Sequence, residues 1–337
     1  MPAHIFLRER LRQTPLIARL VVSMVLIAGV TVALLFFFFS RADRREIETL
    51  QTEMLANVAR DLAGNLAALG ENEVSRVRNL ASARAVQDFA TARPAQRSAL
   101  FAPTLADFTN FLASDAFYRA ALLLDPSGEV LVSTEGSYVG LNFADSVFFQ
   151  TALAGEPHMS EPGISALDRQ PVIWLSAPVY AETLPGSGPG SGPPAGVVAV
   201  ALSPEKLWQR VESVAVGQNG YAIVLDRWGI RVAHGRDRRY IFRSLMPLPP
   251  DVWSALQADG RFGPLAEIAS TGSTMLWEYV QRDSRAPVMT ADAPGGGGRV
   301  YHSAAAVPDR QWTVVAMLPE AEVLAPANRV SSRTVLA

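Results

Sequence analysis

The chain opens with a short basic stretch, Arg8, Arg10, Arg12 and Arg19 against Glu9, and then runs from 20 to 39 without a single charge. A helix needs about 20 such residues to cross the hydrocarbon core of a bilayer. The apolar part of a cleaved signal peptide is shorter, ~7–15 residues, and ends at a small-x-small site. This run ends instead in four phenylalanines. The pattern therefore predicts an uncleaved anchor at 20–40, with residues 1–19 on the cytoplasmic side by the positive-inside tendency. Arg41, Arg44 and Arg45 flank the far end. From there to about residue 92 the period becomes helical. Ile47, Leu50, Met54, Val58, Leu62, Leu66 and Leu69 recur at steps of three and four, continued by Val74, Val77 and Leu80. That stripe can pack against its own domain or form a dimer seam, and both readings stand at this point. A second helical piece covers about 95–113, bounded or kinked by Pro94 and Pro103. Together these helices make a stalk over 41–116.

Beyond residue 117 the apolar runs shorten to strand length, and one unit occurs twice. Ala121 to Val132 and Ala222 to Ala233 each read as an apolar run, then Asp-x-x-Gly, then a second β-prone run. Asp125 and Asp226 can open a tight turn by accepting from the backbone N–H two residues on, and Gly128 and Gly229 can close it. Each copy is thus a predicted β-hairpin. The turn accounts for both aspartates without a calcium ion. A second element repeats downstream: apolar strands at 198–202 and 314–318, each leading into Pro-Glu, a helix-start signal. Earlier strands are expected at 172–180 and 299–307. Two matches in the same order point to two similar modules, 117–216 and 217–319, differing by loop insertions. Pro- and Gly-rich stretches at 185–196 and 294–298 read as loop tips. Residues 320–337 begin as a helix and turn apolar again at Val330, as the start of a second membrane helix would.

At 337 residues the chain holds about two domains of ordinary size. A net charge of −2 and the lack of a basic patch interleaved with aromatics argue against nucleic acid. Cysteine is absent, which excludes disulfides, Cys-ligated metals and thiol chemistry. Lysine occurs once, at Lys206, an arginine bias that reads as a mark of a GC-rich genome. The four histidines, His4, His158, His234 and His302, have no metal-ligand spacing. No Gly-x-Ser-x-Gly, His-Glu-x-x-His or phosphate-cradling Gly-Lys-Ser/Thr occurs, so neither catalysis nor a cofactor is expected of this segment.

The anchor, the long helix and the paired Asp-x-x-Gly hairpins, taken in order, resemble the double Cache family of bacterial extracytoplasmic sensor domains. Further matches are Tyr138-Val-Gly-Leu-Asn142, Phe148-Phe-Gln-Thr-Ala-Leu-Ala-Gly155, Gly196-Val-Val-Ala-Val-Ala-Leu202, Gly217-Gln-Asn-Gly-Tyr221 and Gln311-Trp312-Thr-Val-Val. The likeness covers about 41–330. It implies an α+β fold of two tandem PAS-like antiparallel-sheet modules after the stalk, with a small-molecule ligand in the membrane-distal one. On that basis Arg119, Tyr138, Asp145, Phe148, Phe149, His158, Trp174 and Ser176 are the candidate ligand contacts. Each has a plainer reading: Arg119 as a solvated strand residue, His158 as an ordinary loop residue, Trp174 as core, and one of Phe148 and Phe149 as core. The amino-acid-binding subgroup carries Arg-x-Trp-Tyr where this chain has Ser146-Val-Phe-Phe149, and an Asp near Ala201. Both charge partners of an α-amino acid are therefore missing.

The resemblance implies the sensing region of a receptor in the bacterial cytoplasmic membrane. It would feed a histidine kinase, a diguanylate cyclase or a chemoreceptor, and the helical stripe read as a seam makes a homodimer the expected partner state. A tethered binding protein without output, or an anchored extracytoplasmic enzyme, are the alternatives.

Overall fold

The computed structural model describes residues 16–181, 192–263, 265–282, 288–290, 298–323 and 325. The expected loop tip at 185–196 lies largely outside these residues, as do nearly all of 294–298 and the apolar tail from Val330. The chain divides into two units, one of residues 1–53 with 320–337 and one of residues 54–319.

Helix α1 runs over Leu16–Ala81, and short α2 over Arg84–Thr91. Within the second unit α1 buries Leu55, Ala59, Leu62, Ala63 and Leu66, then Val74, Val77 and Leu80. The buried face is set slightly off the predicted stripe, and Met54 is left 38% exposed. In the first unit, Leu50 is 59% exposed. Among the described residues no helix is long and apolar enough to cross a membrane. The stretch 20–39 is helical, but the side chains of Val22, Ala33 and 35–39 lie outside the described residues.

Helix α3, Pro94–Ala113, starts with Pro94 in its first turn. Pro103 neither ends nor bounds it and sits inside the helix on an exposed face. There, water can satisfy the carbonyl that proline's missing N–H leaves open.

Strands β1 (Tyr118–Leu124) and β2 (Val130–Ser133) form the first hairpin, followed by α4 (Val147–Leu153), β3 (His158–Met159), β4 (Gly163–Ile164), β5 (Pro171–Val179) and β6 (Gly196–Leu202). The order across the sheet is β2-β1-β6-β5-β3, with β4 also on β5, and every pairing is antiparallel. After α5 (Glu205–Glu212) the plan repeats with β7 (Tyr221–Leu225), β8 (Arg231–His234), α6 (Pro250–Ala258), α7 (Thr274–Val280), β9 (Val288–Thr290), β10 (Val300–Ala306) and β11 (Thr313–Pro319). Its sheet runs β8-β7-β11-β10-β9, again wholly antiparallel. The architecture is α+β with two equivalent antiparallel sheets.

The duplicated turns are the same device at atomic detail. Asp125 Oδ1 accepts from the N–H groups of Ser127 (2.9 Å) and Glu129 (3.1 Å), and Asp226 Oδ1 from those of Trp228 (2.9 Å) and Ile230 (2.8 Å). Gly128 and Gly229 take positive φ, 88° and 73°, where a side chain would be strained. A register shift follows at the same step of both hairpins, between Leu123 and Leu124 and between Val224 and Leu225.

The second sheet buries more polar groups than its pattern suggests. Arg231 is 0% exposed and donates to the carbonyls of Arg243 and Ser244 and to Thr271 Oγ1. Burial holds the His234 and His302 imidazoles down to about 4. A buried histidine whose folded pKa lies below its unfolded value favours the folded state only while it is neutral. That stability is complete above about pH 6.5 and fades as the pH falls toward 4. Acidification from pH 7 to 5 should therefore cost on the order of 1–2 kcal/mol per histidine. Thermal midpoints at the two pH values check this, and equal midpoints would contradict it.

Candidate functional site

Alternation along β5 puts Val172, Trp174 and Ser176 on one face and Ile173 and Leu175 on the other. Trp174 stands opposite Ala201 of β6, a small neighbour that leaves room for the indole. The turn after β2 brings in Tyr138 and Phe143, and the first turn of α4 brings in Phe148. Phe148 stacks on Trp174 with centroids 5.0 Å apart and planes at 17°. Tyr138 meets the same ring edge-on at 5.9 Å, and Phe143 lies at 5.8 Å. These four rings form one wall of a cavity of about 1130 Å³. Burial pushes the Tyr138 phenol up, so it stays protonated. Burial also lowers His158 from its ordinary value, with the nearby positive charge of Arg310 adding to the effect, so the imidazole is neutral.

Four of the eight sequence candidates meet here: Tyr138, Phe148, His158 and Trp174 all line the cavity. The other four do not. Phe149 is one residue further round α4, 2% exposed, and belongs to the core beneath the sheet. Ser176 is fully buried, and its hydroxyl donates to the Phe148 carbonyl at 2.7 Å, fixing α4 on β5. Arg119 reaches Ser203 Oγ at 3.3 Å on β1, and Asp145 is exposed.

The opposite wall comes from the second module, which sequence reasoning gave no part in the site. Asp226, Trp228, Arg261, Arg310 and Gln311 line it. A strap of the first module, residues 159–164, is fastened to them. Trp312 Nε1 donates to Glu161 Oε2. Arg261 donates from Nε to the Pro162 carbonyl (3.1 Å) and accepts at its own carbonyl from Ile164 N (2.7 Å). Arg310 donates to the Met159 carbonyl at 3.4 Å. At Gly163 a Cβ would collide with the Arg261 carbonyl, so only glycine allows this approach.

The Arg261 guanidinium is the centre of the fastening. Its Nη1 donates to Asp226 Oδ2 at 2.7 Å, and the two side chains are only 5% and 1% exposed. Asp226 thus turns the hairpin with one oxygen and holds Arg261 with the other. Glu161 Oε2 lies 4.0 Å from Arg261 Nη2. Although a third of the Glu161 side chain is exposed, desolvation pushes its carboxyl up, against the pull of Arg261 and the Trp312 N–H. Among the described residues no group of three His, Asp or Glu side chains is placed to hold a metal.

Two antiparallel sheets built on one duplicated plan, with an aromatic cavity lined by both modules, define a tandem α+β domain. The Cache domain family model matches residues 39–327, and the chain belongs to that family. The fold is shared with the sensor domain of the Vibrio cholerae histidine kinase DctB, at TM-score 0.64 and 16% identity over 82% of this chain and 99% of that one. It is also shared with the ligand-binding domain of the Campylobacter jejuni chemoreceptor Tlp3 bound to 4-methylisoleucine, at TM-score 0.56 and 13% identity over 82% and 94%. The ligand-binding domain of the Pseudomonas aeruginosa amino acid chemoreceptor PctB with L-Arg aligns at TM-score 0.51 and 17% identity over 83% and 92%. Comparison with curated proteins returns no match.

Proposed function

We propose that residues 41–330 are the extracytoplasmic small-molecule-sensing region of a bacterial membrane receptor, acting by binding rather than catalysis. The observation that carries this reading is the shared cavity. Its first-module wall is aromatic, and its floor is a strap already fastened to the second module. A molecule pressing on Trp174 also presses on Ser160, whose N–H donates to the Trp174 carbonyl at 2.7 Å and whose Oγ accepts from the Trp174 N–H at 2.8 Å. A change at the ligand reaches the second module through this strap. Signalling needs two states of different ligand affinity; driving a two-state equilibrium from 1:99 to 99:1 takes about 5.5 kcal/mol.

The bilayer is the partner of the first unit in this reading. Leu20, Met24, Val25, Leu26 and Ile27 are 60–72% exposed on a helix. A helix apolar on every side is stable in lipid and costly in water. Output passes to a kinase, cyclase or chemoreceptor module through the membrane helices of a homodimer. The exposed Leu50 and Met54 are the seam positions. Charging both (Leu50→Glu with Met54→Glu) should abolish output while leaving ligand affinity within about twofold, since neither touches the cavity. Unchanged signalling in that double variant would remove the seam.

The reading itself is tested by a thermal-shift screen of small metabolites against the wild-type chain and Trp174→Ala. At least one compound should raise the wild-type midpoint by several degrees and leave the variant's unmoved. A screen without any shift counts against sensing at this cavity.

A further inference from the structure

The charges around the cavity are distributed unevenly. The first module lines it with no arginine or lysine and with only two acids, Glu156 and Glu161. Glu156 is exposed, and Glu161 is held by the Trp312 N–H. On the second module's wall Arg227 is paired with Gln311 Oε1 (2.8 Å), Arg310 with the Met159 carbonyl and Arg261 Nη1 with Asp226, while the buried Arg261 Nη2 has no hydrogen-bond partner among the described residues; Asp259 and Asp309 also line that side. Arg78 and Glu71 of α1 lie exposed at the rim. A ligand carboxylate or ammonium placed beside Trp174 would lose its water and find no free counter-charge on that wall.

Uncharged polar groups there are free. Among the described residues, the Trp174 indole N–H has no hydrogen-bond partner, and neither ring nitrogen of His158 has one. Ser146 makes no side-chain capping bond. One donor and two groups able to donate or accept thus sit beside four rings.

Resting on the sensor reading above, we infer that the ligand is an uncharged, planar aromatic molecule carrying a hydrogen-bond acceptor, seated on the Phe148–Trp174 wall with its acceptor on the Trp174 indole N–H. The rings supply stacking and edge contacts, which favour a flat apolar body. The indole N–H requires an acceptor, because a donor that loses water without a partner is penalised. Seated on this wall, a zwitterion would find no first-module cation for its carboxylate.

Three probes of one size and different charge decide the matter: benzamide, benzoate and benzylamine, each titrated calorimetrically into the full chain at neutral pH. Benzamide should bind in the millimolar range, as expected for so small a body. It should bind about tenfold or more tightly than either charged member. Trp174→Ala should weaken benzamide about tenfold or more, and Trp174→Phe, which keeps a ring and loses the N–H, should weaken it severalfold. The Phe variant keeps the test valid where the Ala variant fails to fold. Equal or tighter binding of benzoate or benzylamine, or benzamide binding that is undetectable or indifferent to Trp174, overturns the ligand class. A charged compound that binds through Trp174 leaves the sensor reading standing. If no compound of any charge in the wider screen binds, that reading falls as well.

Discussion

Arg261→Met is expected to lower folding stability by roughly 3–5 kcal/mol, the cost of stranding one partner of a buried ion pair. The stranded group is Asp226, whose side chain is 1% exposed and whose other oxygen already holds the hairpin turn. The loss also releases the Pro162 carbonyl on the strap. Denaturant unfolding measures it directly. The double variant Asp226→Asn with Arg261→Met should recover part of the loss, because it removes the buried charge along with its partner. A single-variant loss below about 1 kcal/mol would mean that the pair is hydrated and the fastening superficial.

Lys206→Met should have a comparable effect, roughly 3–5 kcal/mol, for the same reason at a different joint. Lys206 Nζ lies 2.7 Å from Glu73 Oε1 and 2.5 Å from Asp115 Oδ2. Glu73 is 3% exposed in its side chain and also accepts from the Tyr118 hydroxyl at 2.5 Å. The network ties α5, the helix between the two sheets, to α1 and to the end of α3. Burial raises the Asp115 carboxyl, but the hydrogen bonds from Lys206 and the Phe117 N–H outweigh it and set it below its ordinary value. Its contribution is therefore present above the unfolded carboxylate range and lost as pH falls through the folded value. Lys206→Arg keeps the charge and should retain most of the stability. If Met and Arg variants unfold at the same denaturant concentration, the network contributes nothing.

Lys206 also shows where sequence reading ends. As the one lysine of the chain it reads as a compositional accident, because nothing local marks Glu73, 133 residues earlier, as its partner. Asp226 is a second case. The hairpin turn explains it fully, yet its second oxygen is committed to Arg261, 35 residues on. Glu161 sits in Ser-Glu-Pro-Gly, which reads as an ordinary turn, and its Trp312 partner is 151 residues away. Period and turn chemistry are local signals, and they carried the fold: the duplicated hairpins and the strands around them stand out in the chain. Trp174, Phe148 and Tyr138 were named as candidate contacts through the family resemblance rather than through any local period, and the structure brings their rings together. The second wall was not. It depends on how two modules dock, and docking is set by tertiary contacts that leave no period in the chain.

Ligand bound at Trp174 is expected to act on the second module through strap 159–164. Backbone amide exchange on the full chain, with and without the compound giving the largest thermal shift, tests it most directly. Protection should rise together in the strap and in residues 310–312. Protection confined to the first module, with 310–312 unchanged, would contradict the account.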